Sequence, residues 1–296
     1  MKRILSVLAF AFVILGAGTA SAHMFWVTLS ESFNHKPGHI TSLLGFGHTL
    51  PFDDLLGSEA GTIDLSKYEL IGPDESHFDL GLPDFKNTPM QTTPTGMTVN
   101  AGDLGLRKIA CTEKSAPGTY QVVSSTKTEF FTVYLDKAGK QRMVPKAMNE
   151  IKNLQKPLVS FGCQMFAKSF FALKKWTEPK PLGFGLEIMP LDDLSNVHVG
   201  DLVRFKVTFK GKPLNSSEAG FQRMTCHSKS FGDPDKFHLD SYLFDGIAQF
   251  RMPAAGQWLS NVYVKQNVTN NPQLKDLKGK CLDFWAVATV AFDVKP

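Results

Sequence analysis

Past residue 22 the chain is built of short apolar runs rich in aromatic and β-branched residues, each closed by Gly, Pro, Asn or Asp. Such runs read as strands, and no helical period outlasts about three turns. The first run, His23-Met24-Phe25-Trp26-Val27-Thr28-Leu29, predicts a strand. Pro37-Gly38 predicts a turn, followed by a second strand ending near Gly45-Phe46-Gly47-His48. Residues 48–61 form a loop carrying Asp53 and Asp54. Four prolines between 66 and 106 leave room only for short strands and long loops. Gly118–Val123 and Glu129–Leu135 are further strands, and Asp136-Lys137-Ala138-Gly139-Lys140 closes the second as a hairpin turn. Residues 144–154 suit a short helix, and Leu158–Leu173 a strand returning to the first half. Thr177–Gly183, with two prolines, reads as a linker.

The second half is more regular. Leu186–Met189, Leu202–Phe209, Gly220–Cys226, Phe237–Phe244, Ile247–Met252, Trp258–Lys265 and Asp283–Val294 are seven strand candidates. Asp245-Gly246 supplies a two-residue hairpin turn between two of them. Seven short strands with regular turns over about 110 residues match an immunoglobulin-like sandwich. The expected fold is therefore all-β, with an irregular β-sandwich domain over residues 23–180 and an Ig-like domain over 184–296.

The first 22 residues follow a different pattern. Met1-Lys2-Arg3 is a positive head, Ile4–Leu15 is almost wholly apolar, and Ala20-Ser21-Ala22 offers small residues for a signal peptidase. A dozen apolar residues are too few to span a bilayer, which takes about 20. Residues 1–22 are thus expected to be a cleaved signal peptide. The mature protein is expected to be periplasmic, without membrane insertion, and to begin at His23.

Composition narrows the function. Without Lys2 and Arg3 the chain holds 30 basic residues against 28 acidic ones. That near-neutrality gives no electrostatic case for nucleic acid or an anionic membrane. Four cysteines in an exported chain favour disulfides, and Cys111–Cys163 with Cys226–Cys281 is the simplest of three connectivities. No CxxC, Gly-x-Ser-x-Gly, His-Glu-x-x-His or phosphate-cradling Gly loop occurs, so no enzymatic activity is expected. The sequons at Asn215 and Asn267 mean little if the source is bacterial, as the style of the leader suggests.

The remaining chemistry is histidine. After cleavage His23 bears a free amine and an imidazole on one residue, a ready-made nitrogen chelate for nickel or copper. His48 is the best second ligand, because a plain antiparallel hairpin brings residue 48 beside residue 23. His35 and His39 flank the Pro-Gly turn at the hairpin's far end, where their four-residue spacing loses its helical meaning. His77, His198 and His238 are isolated. Met224-x-Cys226-His227 would suit soft copper only if Cys226 were a free thiol.

Several short segments resemble a bacterial periplasmic family associated with nickel/cobalt uptake (NikM-like), much of it of unknown function. These are Ala22-His23-Met24-Phe25-Trp26, Phe46-Gly47-His48, Ile71-Gly72-Pro73-Asp74, Pro117-Gly118-Thr119-Tyr120 and Gly185–Leu191, with Val199-Gly200-Asp201 and Gly211-Lys212-Pro213-Leu214 following. Phe244-Asp245-Gly246 through Trp258 continues the likeness. It implies a β-sandwich with an Ig-like domain, acting as an accessory to transition-metal uptake beside a membrane metal transporter. The family histidines carried over are His23 and His48, with nickel or cobalt as the metal and copper as the alternative. The four cysteines and the residue after Pro73-Asp74, Glu75 in place of glycine, depart from the family pattern.

Overall fold

A computed structural model describes residues 23–296 apart from 35, 59–60, 85–89, 218–219 and 235. The leader expected over residues 1–22 and His35 lie outside the described residues. The chain is an all-β protein with 53% strand. Its principal strands are β1 (Met24–Ser32), β2 (His39–Gly47), β3 (Leu65–Ile71), β4 (Arg107–Ala110), β5 (Gly118–Thr126), β6 (Glu129–Leu135) and β7 (Lys156–Leu173) in the first half. The second half contributes β8 (Leu186–Pro190), β9 (Leu202–Phe209), β10 (Arg223–His227), β11 (Leu239–Tyr242), β12 (Ile247–Arg251), β13 (Gly256–Asn267) and β14 (Asp283–Lys295).

Strands of the second half sort into two layers, β8-β9-β12 and β11-β10-β13-β14. Within each layer these neighbours are antiparallel, an Ig-like order. Asp245 and Gly246 both take positive φ, 52° and 73°, as the tight turn between β11 and β12 requires. Alternate residues of β9, namely Val203, Phe205, Val207 and Phe209, are buried between the layers.

The second layer does not stop at β14. β7 pairs with β14 in parallel, Phe161 opposite Asp283 through Ser169 opposite Ala291. β5 and β3 continue the sheet beyond β7. One sheet therefore runs through both segments that the sequence pattern separates at the linker. Ile71, Val123, Phe166 and Phe170 share a core with Leu186, Val203 and Trp258.

A three-stranded sheet, β1-β2-β4, packs on this long sheet. β1 is buried on both faces: Phe25, Val27 and Leu29 enter one core, while Met24 and Trp26 pack with Leu259 and Ala291. That double burial explains why its sequence is almost unbroken by polar residues. Thr289 Oγ1 donates to the Phe25 carbonyl at 2.6 Å, tying β1 to β14.

Two expectations are corrected. The helix expected over residues 144–154 is a single 3₁₀ turn, Met148–Glu150; these residues connect the β6 hairpin to β7 and span too little chain for more. The disulfides are absent: Cys111, Cys163, Cys226 and Cys281 are all free thiols. Register explains why. Cys226 pairs with Ser260, which pairs with Val290. Cys281 lies beyond the other end of β14, more than about 20 Å away at ~3.3 Å per residue. Cys111 packs near Glu31, which faces Lys295. Cys163 pairs with Trp285, about ten residues back along the same strand. Bridged cysteines need Cα atoms within about 7 Å.

Candidate metal centre

β1 and β2 form an antiparallel hairpin with Met24 opposite Gly47 and Ser32 opposite His39. That register carries His23 and His48 one step past the paired ends, side by side. Their ring centroids are 4.7 Å apart, with the planes tilted by 46°. His23 also stacks on Phe46 at 4.9 Å. His39 is at the opposite end of the hairpin, as the turn at Pro37-Gly38 requires.

The loop after β2 is tied down at three points. Asp54 N–H donates to the Phe46 carbonyl at 3.1 Å. His48 N–H donates to Asp53 Oδ2 at 2.6 Å. Trp26 Nε1–H points at the Pro51 carbonyl at 3.4 Å. Two glycines make this possible. Gly47 takes φ +123°, and a Cβ there would sit 2.5 Å from Asp53 Oδ2. Gly45 lies under the Trp26 indole, where a Cβ would meet Nε1 at 2.0 Å. A side chain at either position would displace what holds His48 in place.

His23 is exposed and His48 half-buried. The Nδ1 atom of His48 is enclosed and has no hydrogen-bond partner. An enclosed ring nitrogen without a partner costs about 1–3 kcal/mol, and a metal ion is one group that would satisfy it. Two imidazoles on adjacent positions of one ion, each nitrogen at about 2.0–2.1 Å, would have centroids roughly 4.5–5.2 Å apart, from square to tetrahedral angles. The two histidines fit such an ion in spacing and donor type. Among the described residues no group of three or more His, Cys, Asp or Glu side chains is placed to hold a metal. A third protein ligand would have to come from elsewhere, and the backbone nitrogen of His23 is the nearest nitrogen by connectivity.

The other histidines do not join this pair. His77 faces Glu69 at 3.5 Å, His198 faces Asp201 at 3.8 Å and His238 faces Asp240 at 3.0 Å. His227 is buried opposite Leu259. Cys226 is a free thiol, so it is chemically able to bind soft metal. Burial, however, pushes its pKa up to about 12 and keeps it protonated.

A second polar cluster escapes the sequence pattern. Lys168 on β7 and Glu187 on β8 are each about 2% exposed, with Nζ 2.5 Å from Oε1. Lys168 Nζ also reaches Met189 Sδ at 3.3 Å and Gln121 Oε1 at 3.4 Å, and lies 5.1 Å from the Phe184 ring centroid. Glu187 accepts from Leu182 N–H at 2.6 Å and Gly183 N–H at 3.1 Å. Gln121 Nε2–H donates to the Lys180 carbonyl at 2.9 Å. The linker is thus held from both sides. Burial pulls the Lys168 pKa down, opposed by the Glu187 charge and hydrogen bond. The signal was a lone lysine in the apolar stretch 158–173 and a lone glutamate in Leu186–Met189.

None of the curated proteins matches this chain. One family model does, over residues 20–266, which takes in the hairpin, both histidines and most of the Ig-like half. The chain belongs to that family, a domain of unknown function (DUF4198).

Proposed function

We propose that this protein is a periplasmic binding protein for a transition-metal ion, held by His23 and His48 at the open end of the β1–β2 hairpin. The carrying observation is the pair of imidazoles 4.7 Å apart with one enclosed nitrogen lacking a partner. Cleavage after Ala22 turns the His23 nitrogen into an amine and adds a third donor. Three nitrogens suit nickel or copper, and divalent affinities rise from cobalt through nickel to copper. The resemblance to nickel/cobalt-uptake proteins favours nickel or cobalt as cargo, delivered to a membrane transporter; copper is the chemical rival. The role is binding and delivery, without catalysis.

Calorimetric titration of protein beginning at His23 with Ni(II), Co(II) and Cu(II) tests this. One equivalent binds to the processed protein. His48→Ala weakens binding at least about 100-fold, since even outer-shell partners of ligands cost 10–100-fold. An extra residue ahead of His23 weakens it as well. Silence in all three titrations would remove the metal reading.

A second reading has its own observation. Phe221, Tyr242 and Phe244 are 75%, 53% and 66% exposed at the β11 edge of the Ig-like half, with the Phe221 and Tyr242 rings 5.4 Å apart. Aromatic groups at a free edge suit docking to another protein. If metal titration is silent, a protein-interaction module is the reading left.

A further inference from the structure

We infer that His48 binds the metal through Nδ1, and that Asp53 is the positioning residue that aims it. The inference rests on the metal reading above and adds the donor atom and the group that fixes it.

Each imidazole has two distinct nitrogens, and either can meet a metal. In His48 the enclosed, unpartnered nitrogen is Nδ1. Nδ1 is the nitrogen nearer the main chain, so its direction depends closely on the backbone at residues 47 and 48. That backbone is fixed by one side chain. Asp53 Oδ2 accepts the His48 N–H at 2.6 Å. The same carboxylate occupies the place where any side chain on residue 47 would lie. Gly47 at φ +123° lets the strand end turn towards it. The Asp54–Phe46 bond and the Trp26–Pro51 contact close the loop around the clamp. Asp53 therefore acts on His48 through the main chain, as a hydrogen-bond acceptor.

This differs from a role as a metal ligand in a way that can be measured. A positioning acceptor needs an oxygen at Oδ2 and no negative charge; a ligand needs the carboxylate. Processed protein is prepared as wild type, Asp53→Asn and Asp53→Ala, with circular dichroism to confirm folding of each. Each is titrated with Ni(II) and with Cu(II). Asp53→Ala weakens binding about 10–100-fold, the range for groups that orient a ligand, and Asp53→Asn restores most of the loss. In ¹⁵N-labelled wild type, Zn(II) serves as a diamagnetic probe, and the His48 Nδ1 resonance moves while Nε2 keeps its proton.

Four outcomes overturn the inference. If wild type binds no metal, the metal reading falls and this inference falls with it. If wild type binds but the His48 Nε2 resonance carries the shift, the donor assignment alone is wrong. If Asp53→Ala binds like wild type, the clamp has no role. If Asp53→Asn is as weak as Asp53→Ala, Asp53 acts through its charge.

Discussion

Two polar clusters lie close to where the layers of this protein meet, and they are satisfied in opposite ways. At Lys168 and Glu187 every charge is answered inside the protein. The ammonium has a carboxylate, an amide oxygen and a thioether sulfur; the carboxylate has two backbone donors besides the lysine. At His23 and His48 the rings sit together at a rim, and one enclosed nitrogen has nothing to bond. A closed cluster is what a joint needs, because buried charge is tolerated only when paired. An incomplete cluster held in a fixed loop leaves room for something else.

The comparison is broken most sharply at the joint. Lys168→Met leaves Glu187 buried without its cation, and the expected cost is about 3–5 kcal/mol, read as a lowered urea midpoint. The double variant Lys168→Met/Glu187→Leu regains most of that, since an apolar pair of similar volume can replace a buried ion pair. A single variant costing under about 1 kcal/mol, the scale of a solvated surface pair, would mean the joint is wet, and the contrast would disappear.

The rim is probed by Gly45→Ala. The new methyl would meet the Trp26 indole at 2.0 Å, and forcing extra volume there costs about 1–3 kcal/mol. Because Trp26 also faces the loop carrying Asp53, metal affinity falls with stability. Stability lost with affinity unchanged would separate the loop from the site.

A third effect concerns pH. Burial raises the Cys226 thiol from near 9 to about 12. Below pH 9 this thiol is protonated folded or unfolded, so its stabilising contribution is fully present. Between pH 9 and 12 the unfolded thiol ionises and the folded one does not, and stability falls by at most about 1.4 kcal/mol per pH unit. Urea midpoints measured from pH 8 to 11 should show that decline, flatter in Cys226→Ala. An unchanged slope would place the decline on other groups, such as Cys163, raised to about 11.

Much of the rim was legible in the sequence because it is local. Pro37-Gly38 marks the connection between the two strands, and the ladder that pairs residue 24 with residue 47 lies wholly within this one short stretch of chain. The Ig-like strands were legible for the same reason, each bounded by its own turn. The clamp was half legible: Asp53 was visible in the loop, but not that Gly47 makes room for its carboxylate. The joint was not legible. It depends on β7 lying beside β14, a parallel pairing between residues about 120 apart that no local turn announces. The disulfides failed for the same reason, since cysteine count says nothing of where long strands place each thiol.

The position of β14 has a consequence for how the chain is made. It follows every other described strand in sequence, yet it lies mid-sheet between β7 and β13. A chain emerging from its N-terminal end exposes the open flank of β7 until residues 283–291 arrive. Unpaired strand flanks recruit other strands. Until its closing strand docks, the folding chain therefore presents two open half-sheet edges, and pairing with those of another molecule competes with completion of its own sheet.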